Sequence, residues 1–374
     1  MKNLLPKTKN PFQSKSHGVL LRVPQISNYF LVLTLLSVIF TVSSCQKATY
    51  KTVYPTLSDG RYDSEFPYRN CSSELDDISK SVKKLYCLVE YDRYDYDESD
   101  ALKIKNLSNN SFKKLAYNKG FFSESVHGTA TIIYNVSGFV AVLTCAHIID
   151  YPDTIISYFV DEHNQKTEII QSVSLKKKQL NFIRDLPGDG TLNLIVADNT
   201  LDVAFLGNKF ENVSENIRTF SYSTGKAEKL EWGSFVYIMG YPAGYQMVTR
   251  GIVSNPYTGK KGEFLLDALF NTGISGGIVL AVKDGVPNFE LVGIAKTVSA
   301  KYKNVLKPEK DSYEEIFNPN VPYTGNLYVK LEKDINYGVT FAASIEAISD
   351  IYFDNKSEFT RQGFFLDSFF KSKK

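Results

Sequence analysis

The sequence predicts an all-β fold, a barrel or sandwich, and three observations carry that reading. Short runs rich in β-branched and aromatic residues recur along residues 129–342. Gly, Asp, Asn and Pro separate them. Helix-period patterning is confined to two short stretches, at 74–84 and 343–352. Many short strands with few helices favour closed or double-layered β architecture.

The elements follow in chain order. Residues 46–75 are polar and turn-rich and read as a tether and lead-in. A short helix is expected over 74–84, then a strand over 85–91 (LYCLVEY). Residues 92–119, rich in Asp, Asn, Ser and Lys, read as a long surface loop. Strands are expected at 129–134 and 139–144 around the turn Asn135-Val136-Ser137-Gly138. Further strands fall at 154–160, 167–173, 192–197, 203–206, 234–239, 249–254, 263–266, 277–282, 289–295 and 339–342. The weakly patterned, Lys/Asn/Pro-rich stretch 296–336 reads as an inserted surface loop. A helix over 343–352 precedes a polar, Phe-rich tail.

Composition excludes some classes. The 374 residues are 43% hydrophobic and 22% charged, with 25 Phe and 24 Tyr, enough side chain for a sizeable core. That is unlike a disordered chain or a disulfide-dense miniature. Net charge is +2, from 43 Lys+Arg against 41 Asp+Glu. Five basic residues and no acidic one precede Cys45. Without residues 1–44 the balance is 38 against 41, or −3. A chain near neutrality gives no reason to expect nucleic-acid binding.

The N-terminus reads as an address. Residues 30–42 (FLVLTLLSVIFTV) are 13 residues without a charge, against the roughly 20 that span a bilayer. That length, with basic residues upstream and small ones downstream, suits a signal-peptide core. Val42-Ser43-Ser44-Cys45 resembles a bacterial lipobox, which implies cleavage before Cys45 and a lipid on its thiol. The resemblance implies an exported, lipid-anchored, extracytoplasmic protein of the bacterial cell envelope. Cys71, Cys87 and Cys145 then remain. Either Cys71 and Cys87 pair in an oxidising compartment, or all three are separate buried thiols. No Cys/His pair has zinc spacing, so neither metal nor cofactor is expected.

The chemistry centres on Ser275, in Asn271-Thr272-Gly273-Ile274-Ser275-Gly276-Gly277. A serine hydroxyl needs a base to become a nucleophile, and flanking glycines let the backbone bend its amides towards one spot. The α/β-hydrolase elbow also fits G-x-S-x-G, but that fold places its histidine after the serine. The histidines here are His17, His127, His147 and His163, all upstream. His147, at the end of the apolar run 139–143, is the candidate base. His127 and His163 read as structural, and His17 leaves with the signal. Asp202, opening the apolar run 203–206, is the candidate carboxylate that orients the imidazole.

Five motifs in order then resemble a trypsin-like serine peptidase of the HtrA-type branch. Leu143-Thr144-Cys145-Ala146-His147 resembles L-T-A-A-H, and Asp202-Val203-Ala204 resembles D-I-A. Met239-Gly240-Tyr241-Pro242-Ala243-Gly244, followed by Gly251-Ile252-Val253-Ser254, resembles G-x-P-x-G…G-I-V-S. Residues 267–277 resemble D-A-x-I-N-x-G-N-S-G-G, and Gly338-Val339-Thr340-Phe341-Ala342 resembles the closing G-x-x-F-A-I-P. The resemblance implies two packed six-stranded antiparallel β-barrels with a C-terminal helix. It places the peptidase domain over 81–355, the first barrel at about 81–220 and the second at about 225–345, after a tether over 45–80 and before a tail over 356–374. It implies His147, Asp202 and Ser275 as catalytic residues, Gly273 and Ser275 as oxyanion donors, and a polypeptide substrate. Leu269, six residues before the serine, takes the place of the primary-pocket floor and implies apolar specificity. Two departures stand out: Ile274 replaces the usual Asn or Asp, and Ile278 the usual Pro. A non-catalytic scaffold that keeps the barrels is the alternative. No PDZ-like domain follows the last expected helix.

Overall fold

The computed structural model describes residues 55–371 except 68, 110–111, 164, 212–216, 270 and 309–326. The expected signal segment and Cys45 lie outside these residues. Residues 56–371 belong to one compact unit.

The first barrel is built from seven strands: β1 (Val82–Asp95), β2 (Asn118–Val136), β3 (Phe139–Thr144), β4 (Thr154–Val160), β5 (Lys166–Phe182), β6 (Thr191–Asp198) and β7 (Val203–Lys209). They run in the order β1-β2-β3-β7-β6-β5, and β5 pairs back onto β1 to close a six-stranded antiparallel ring. β4 is an additional strand on the free edge of β5. Closure removes the unpaired edges that an open sheet would expose. Alternation fixes which face is inside: along β1, Leu85, Cys87, Val89 and Tyr91 are buried while their neighbours are half-buried.

The second barrel comprises β8 (Ser223–Thr224), β9 (Phe235–Gly240), β10 (Met247–Asn255), β11 (Glu263–Ala268), β12 (Ile278–Val282), β13 (Phe289–Pro308) and β14 (Leu327–Ser344). The ring is β12-β9-β10-β11-β14-β13, closed by β13 pairing with β12. β8 adds two residues parallel to β13. The barrel interior holds Val236, Ile238, Val253, Phe264, Leu266, Val279 and Val292. Every residue of β12 is buried, because its second face packs into the core shared with the first barrel. The predicted pair of six-stranded antiparallel barrels is therefore present, each with one extra strand.

Helices are few. α1 (Ser72–Ser79) leads into β1, and α2 (Phe112–Leu115) sits in the excursion between β1 and β2. α3 (Ile345–Asp354), capped by Ser344 accepting the Ala347 N–H, follows β14 directly. α4 (Lys356–Arg361) and α5 (Asp367–Phe370) follow it.

Four local expectations change. The first helix ends at Ser79, and the strand begins at Val82 rather than Leu85. Residues 92–119 are not all loop: β1 and β2 continue as a paired ribbon to Asp95 and Asn118, and Tyr96, Leu102 and Phe112 pack on Ile170 and Val173. The stretch 296–336 is a long β13–β14 hairpin in its described parts, paired from Gly293–Ser344 out to Pro308–Leu327. Residues 356–371 hold two short helices, 356–361 and 367–370, and are docked, with Phe359, Phe364 and Leu366 buried. Cys71, Cys87 and Cys145 are three separate buried thiols.

Candidate active site

Three loops converge where the barrels meet. β3 is buried from Val140 to Thr144 and is followed by a tight turn, Ala146–Ile148. Ala146 and Ile148 are buried in that turn, so it is anchored on both sides of the exposed His147. The β6–β7 turn presents Asp202. Asp198 Oδ1 accepts the N–H groups of Thr200 and Leu201, both at 2.8 Å, which folds this turn tightly. Asp202 itself lies in the left-handed region, with φ +60°, a conformation that Asp tolerates better than most residues.

Asp202 holds His147 at two points. Oδ2 lies 2.7 Å from Nδ1, and Oδ1 accepts the His147 backbone N–H at 2.9 Å. With Nδ1 committed as donor to a carboxylate, Nε2 is left as the acceptor of the neutral ring. The His147 side chain is 47% exposed, whereas Asp202 is 17% exposed. The aspartate is therefore shielded and the imidazole faces outward.

Ser275 arrives on the loop 271–277 from the second barrel and is 8% exposed. Gly273 (φ +100°) and Gly276 (φ +83°) make this loop possible. A Cβ at Gly276 would sit 2.0 Å from the Thr129 carbonyl oxygen, so only glycine fits. The Gly276 N–H donates to Ala295 O and the Ala295 N–H to Gly277 O, registering the loop on β13. From the first barrel, the Thr129 N–H donates to Ser275 O at 2.8 Å. Neither the Gly273 N–H nor the Ser275 N–H has a hydrogen-bond partner among the described residues. Ser275 Oγ has none either, and no hydrogen bond joins it to His147.

The departures from the motif acquire physical roles. Ile274 is 2% exposed and lies in the apolar interior of the second barrel with Val236, Ile238 and Val279. It anchors the Ser275 loop by burial. The stretch 239–244 braces that loop: the Ala243 N–H donates to Thr272 O at 2.7 Å, and the Tyr241 N–H donates to Thr129 Oγ1 at 2.8 Å.

Cys145 stands behind the histidine. Its Sγ and the ligand atoms of His147 and Asp202 lie within 4.8 Å of one another. Burial pushes its thiol well above the usual range, and the Asp202 carboxylate adds to this. Its Sγ faces Ala295 O at 3.5 Å. A nucleophile or a metal ligand needs the thiolate, so the observed setting is that of a protonated core thiol.

Leu269 follows β11 and is 70% exposed. His163 lies in an exposed turn, its N–H donating to Asp161 Oδ1. His127 lies on β2, just before Gly128 and Thr129. Its Nε2 is buried without a hydrogen-bond partner among the described residues, and a Cβ at Gly273 would lie 2.8 Å from it. The imidazole therefore packs directly on the Ser275 loop. Burial and nearby Lys84 hold its ring below the usual histidine range, favouring the neutral form.

Residues 128–294 match the family described as trypsin-like peptidase domain. The two closed barrels are this trypsin-like fold. Solved structures similar to the chain include the HtrA-type protease AlgW with tripeptide, at 17% identity and TM-score 0.39. That match covers 75% of this chain and 62% of AlgW, so the chain spans about three-fifths of that structure. The Rv3671c protease in its inactive form is similar at 10% identity and TM-score 0.35, covering 75% of this chain and 91% of the other. No curated protein matches the chain.

Proposed function

We propose that this trypsin-like peptidase domain is a serine endopeptidase, exported and held at a membrane by a lipid on Cys45. The observation that carries the peptidase reading is the two-point grip of Asp202 on His147 beside a loop that offers two amides unpartnered among the described residues. Ser275 Oγ attacks a peptide carbonyl and passes its proton to His147 Nε2. The imidazolium formed is stabilised through Nδ1–H by Asp202. The oxyanion takes the N–H groups of Gly273 and Ser275, each typically worth about 3 kcal/mol of barrier. His147 then protonates the leaving amine, and water, deprotonated by the same ring, releases the acyl group. Peptide is the substrate class of the family. Leu269, exposed after β11, favours apolar residues at the cleavage site.

A fluorophosphonate probe tests the mechanism. The expected result is labelling of the wild-type protein that disappears in Ser275→Ala and His147→Ala. Absence of labelling in folded wild-type protein overturns the reading and favours a scaffold that keeps the barrels without turnover. The lipid is tested separately by mass spectrometry of the mature N-terminus. A mature chain starting elsewhere than a diacylated Cys45 removes the anchor. Among the described residues no helix is long and apolar enough to cross a membrane.

A further inference from the structure

The turn that carries Asp202 is held from two directions. Asp198 takes its N–H groups, as described above. Its carbonyls point at the second barrel, where two lysines meet them. Lys260 Nζ donates to Thr200 O at 3.0 Å, and Lys296 Nζ donates to Leu201 O at 3.0 Å. Both ammonium groups converge on one carboxylate oxygen. Glu263 Oε1 lies 2.6 Å from Lys260 Nζ and 2.5 Å from Lys296 Nζ. Lys296 and Glu263 side chains are each 6% exposed, while Lys260 is about half exposed.

A buried lysine is costly to keep charged, and a buried ion pair is weak evidence for stability because apolar residues of similar volume often do as well. Its best-supported use is to fix one arrangement among several. Here the arrangement fixed is unusual. The two carbonyls gripped are those immediately before Asp202, whose φ of +60° lies in the left-handed region that a non-glycine residue enters only at some cost, lower for Asp than for most. Lys296 also directly follows Ala295, the residue that registers Gly276 and Gly277 of the Ser275 loop. One strand therefore touches both halves of the site.

We propose that Lys296, balanced by Glu263 and assisted by Lys260, is a positioning residue for Asp202. Lys296 sets the Leu201 carbonyl and Lys260 the Thr200 carbonyl, these set the Asp202 backbone, and that backbone aims the carboxylate at His147. The acid–base pair of the first barrel is thereby completed only when the second barrel is docked. The catalytic consequence rests on the serine-peptidase reading above, but the geometric one does not.

The test uses the full-length protein and two independent readouts. The first is the downfield proton resonance of His147 Nδ1–H, assigned by its loss in His147→Ala, which reports the bond to Asp202 without any turnover. The second is kcat against KM on a peptide substrate. Lys296→Met is expected to broaden or abolish the resonance and to lower kcat by about ten-fold or more with KM nearly unchanged, the pattern of a lost transition-state interaction. Lys296→Arg, which keeps the donors and the charge, is expected to restore the resonance. Lys260→Ala, on an exposed side chain, is expected to weaken it in the same direction. A folded Lys296→Met with an unaltered resonance overturns the proposal. If Lys296→Met fails to fold, an unaltered resonance in Lys260→Ala overturns it. Loss of kcat in Lys296→Met that Lys296→Arg does not recover, with the resonance intact, also counts against it. A wild-type protein that shows the resonance but no Ser275-dependent turnover sinks the peptidase reading alone and leaves the clamp to be decided by the spectrum.

Discussion

Thr129 of the first barrel binds Gly273 of the second: Thr129 Oγ1 donates to the Gly273 carbonyl at 2.8 Å while accepting the Tyr241 N–H at the same distance. One fully buried hydroxyl thus satisfies two backbone groups of the other barrel. Thr129→Val keeps the shape and leaves both groups unpaired. The expected cost is roughly 1–3 kcal/mol, read by urea denaturation, with a fall in Ser275-dependent probe labelling. Thr129→Ser keeps the hydroxyl and is expected to retain most of both.

Ile274 anchors the Ser275 loop by burial, so restoring the more usual Asn there is expected to harm this chain. Ile274→Asn loses apolar contact and places an amide among Val236, Ile238 and Val279. The expected destabilisation is roughly 2–5 kcal/mol, whereas Ile274→Val is expected to cost about 0.5–1.5 kcal/mol. Thermal melts of the two variants check the ranking. An Ile274→Asn protein as stable as wild type would show that the loop does not depend on this contact.

Asp63 gives the fold a pH dependence. Burial pushes its carboxyl up to about 6, nearby Glu65, Asp284 and Asp59 add to this, and the Gly285 N–H opposes it. The folded state therefore holds this proton more tightly than the unfolded chain. The stabilisation is fully present below about pH 4, the ordinary range of an unfolded Asp, and is lost as pH rises through about 6. Asp63→Asn is expected to be more stable than wild type at pH 8 by about 1–3 kcal/mol, the gap closing below pH ~4. Denaturation curves at several pH values measure it, and a constant gap across that range would remove Asp63 as the cause.

Phe359 of α4 is fully buried, with its ring 5.1 Å from Phe205 of β7 and 5.0 Å from Tyr352 of α3. Phe359→Ala is expected to cost about 3–5 kcal/mol, comparable to a central core truncation. Chemical denaturation checks it. A cost below about 1 kcal/mol would mean that α4 is only lightly attached.

The parts legible in the sequence are those written as local apolar runs with punctuation. The run 139–143 announces β3 and so the place of His147, and 203–206 does the same for Asp202. The glycines around Ser275 announce a bend whose need is visible at Gly273 and Gly276. The parts that were not legible depend on partners far away in the chain. The ends of β1 and β2, and the β13–β14 hairpin, are ribbons with mixed polar faces, which leave no alternation to read. Glu263 and Lys296 look like ordinary surface charges until folding brings them together. The aromatic residues of 356–371 follow no clean helical stripe, so their burial shows only against Phe139, Phe205 and Tyr134.

The docking of α4 and the segment after it on the first barrel has a consequence for biosynthesis. Phe364 stacks its edge on Phe139 and Tyr134, and Phe359 covers Phe205, all contributed by strands made far earlier. A nascent chain halted before residue 356 holds the strands of its first barrel but lacks the lid for these rings. That half of the molecule reaches its mature packing only after the second has been translated.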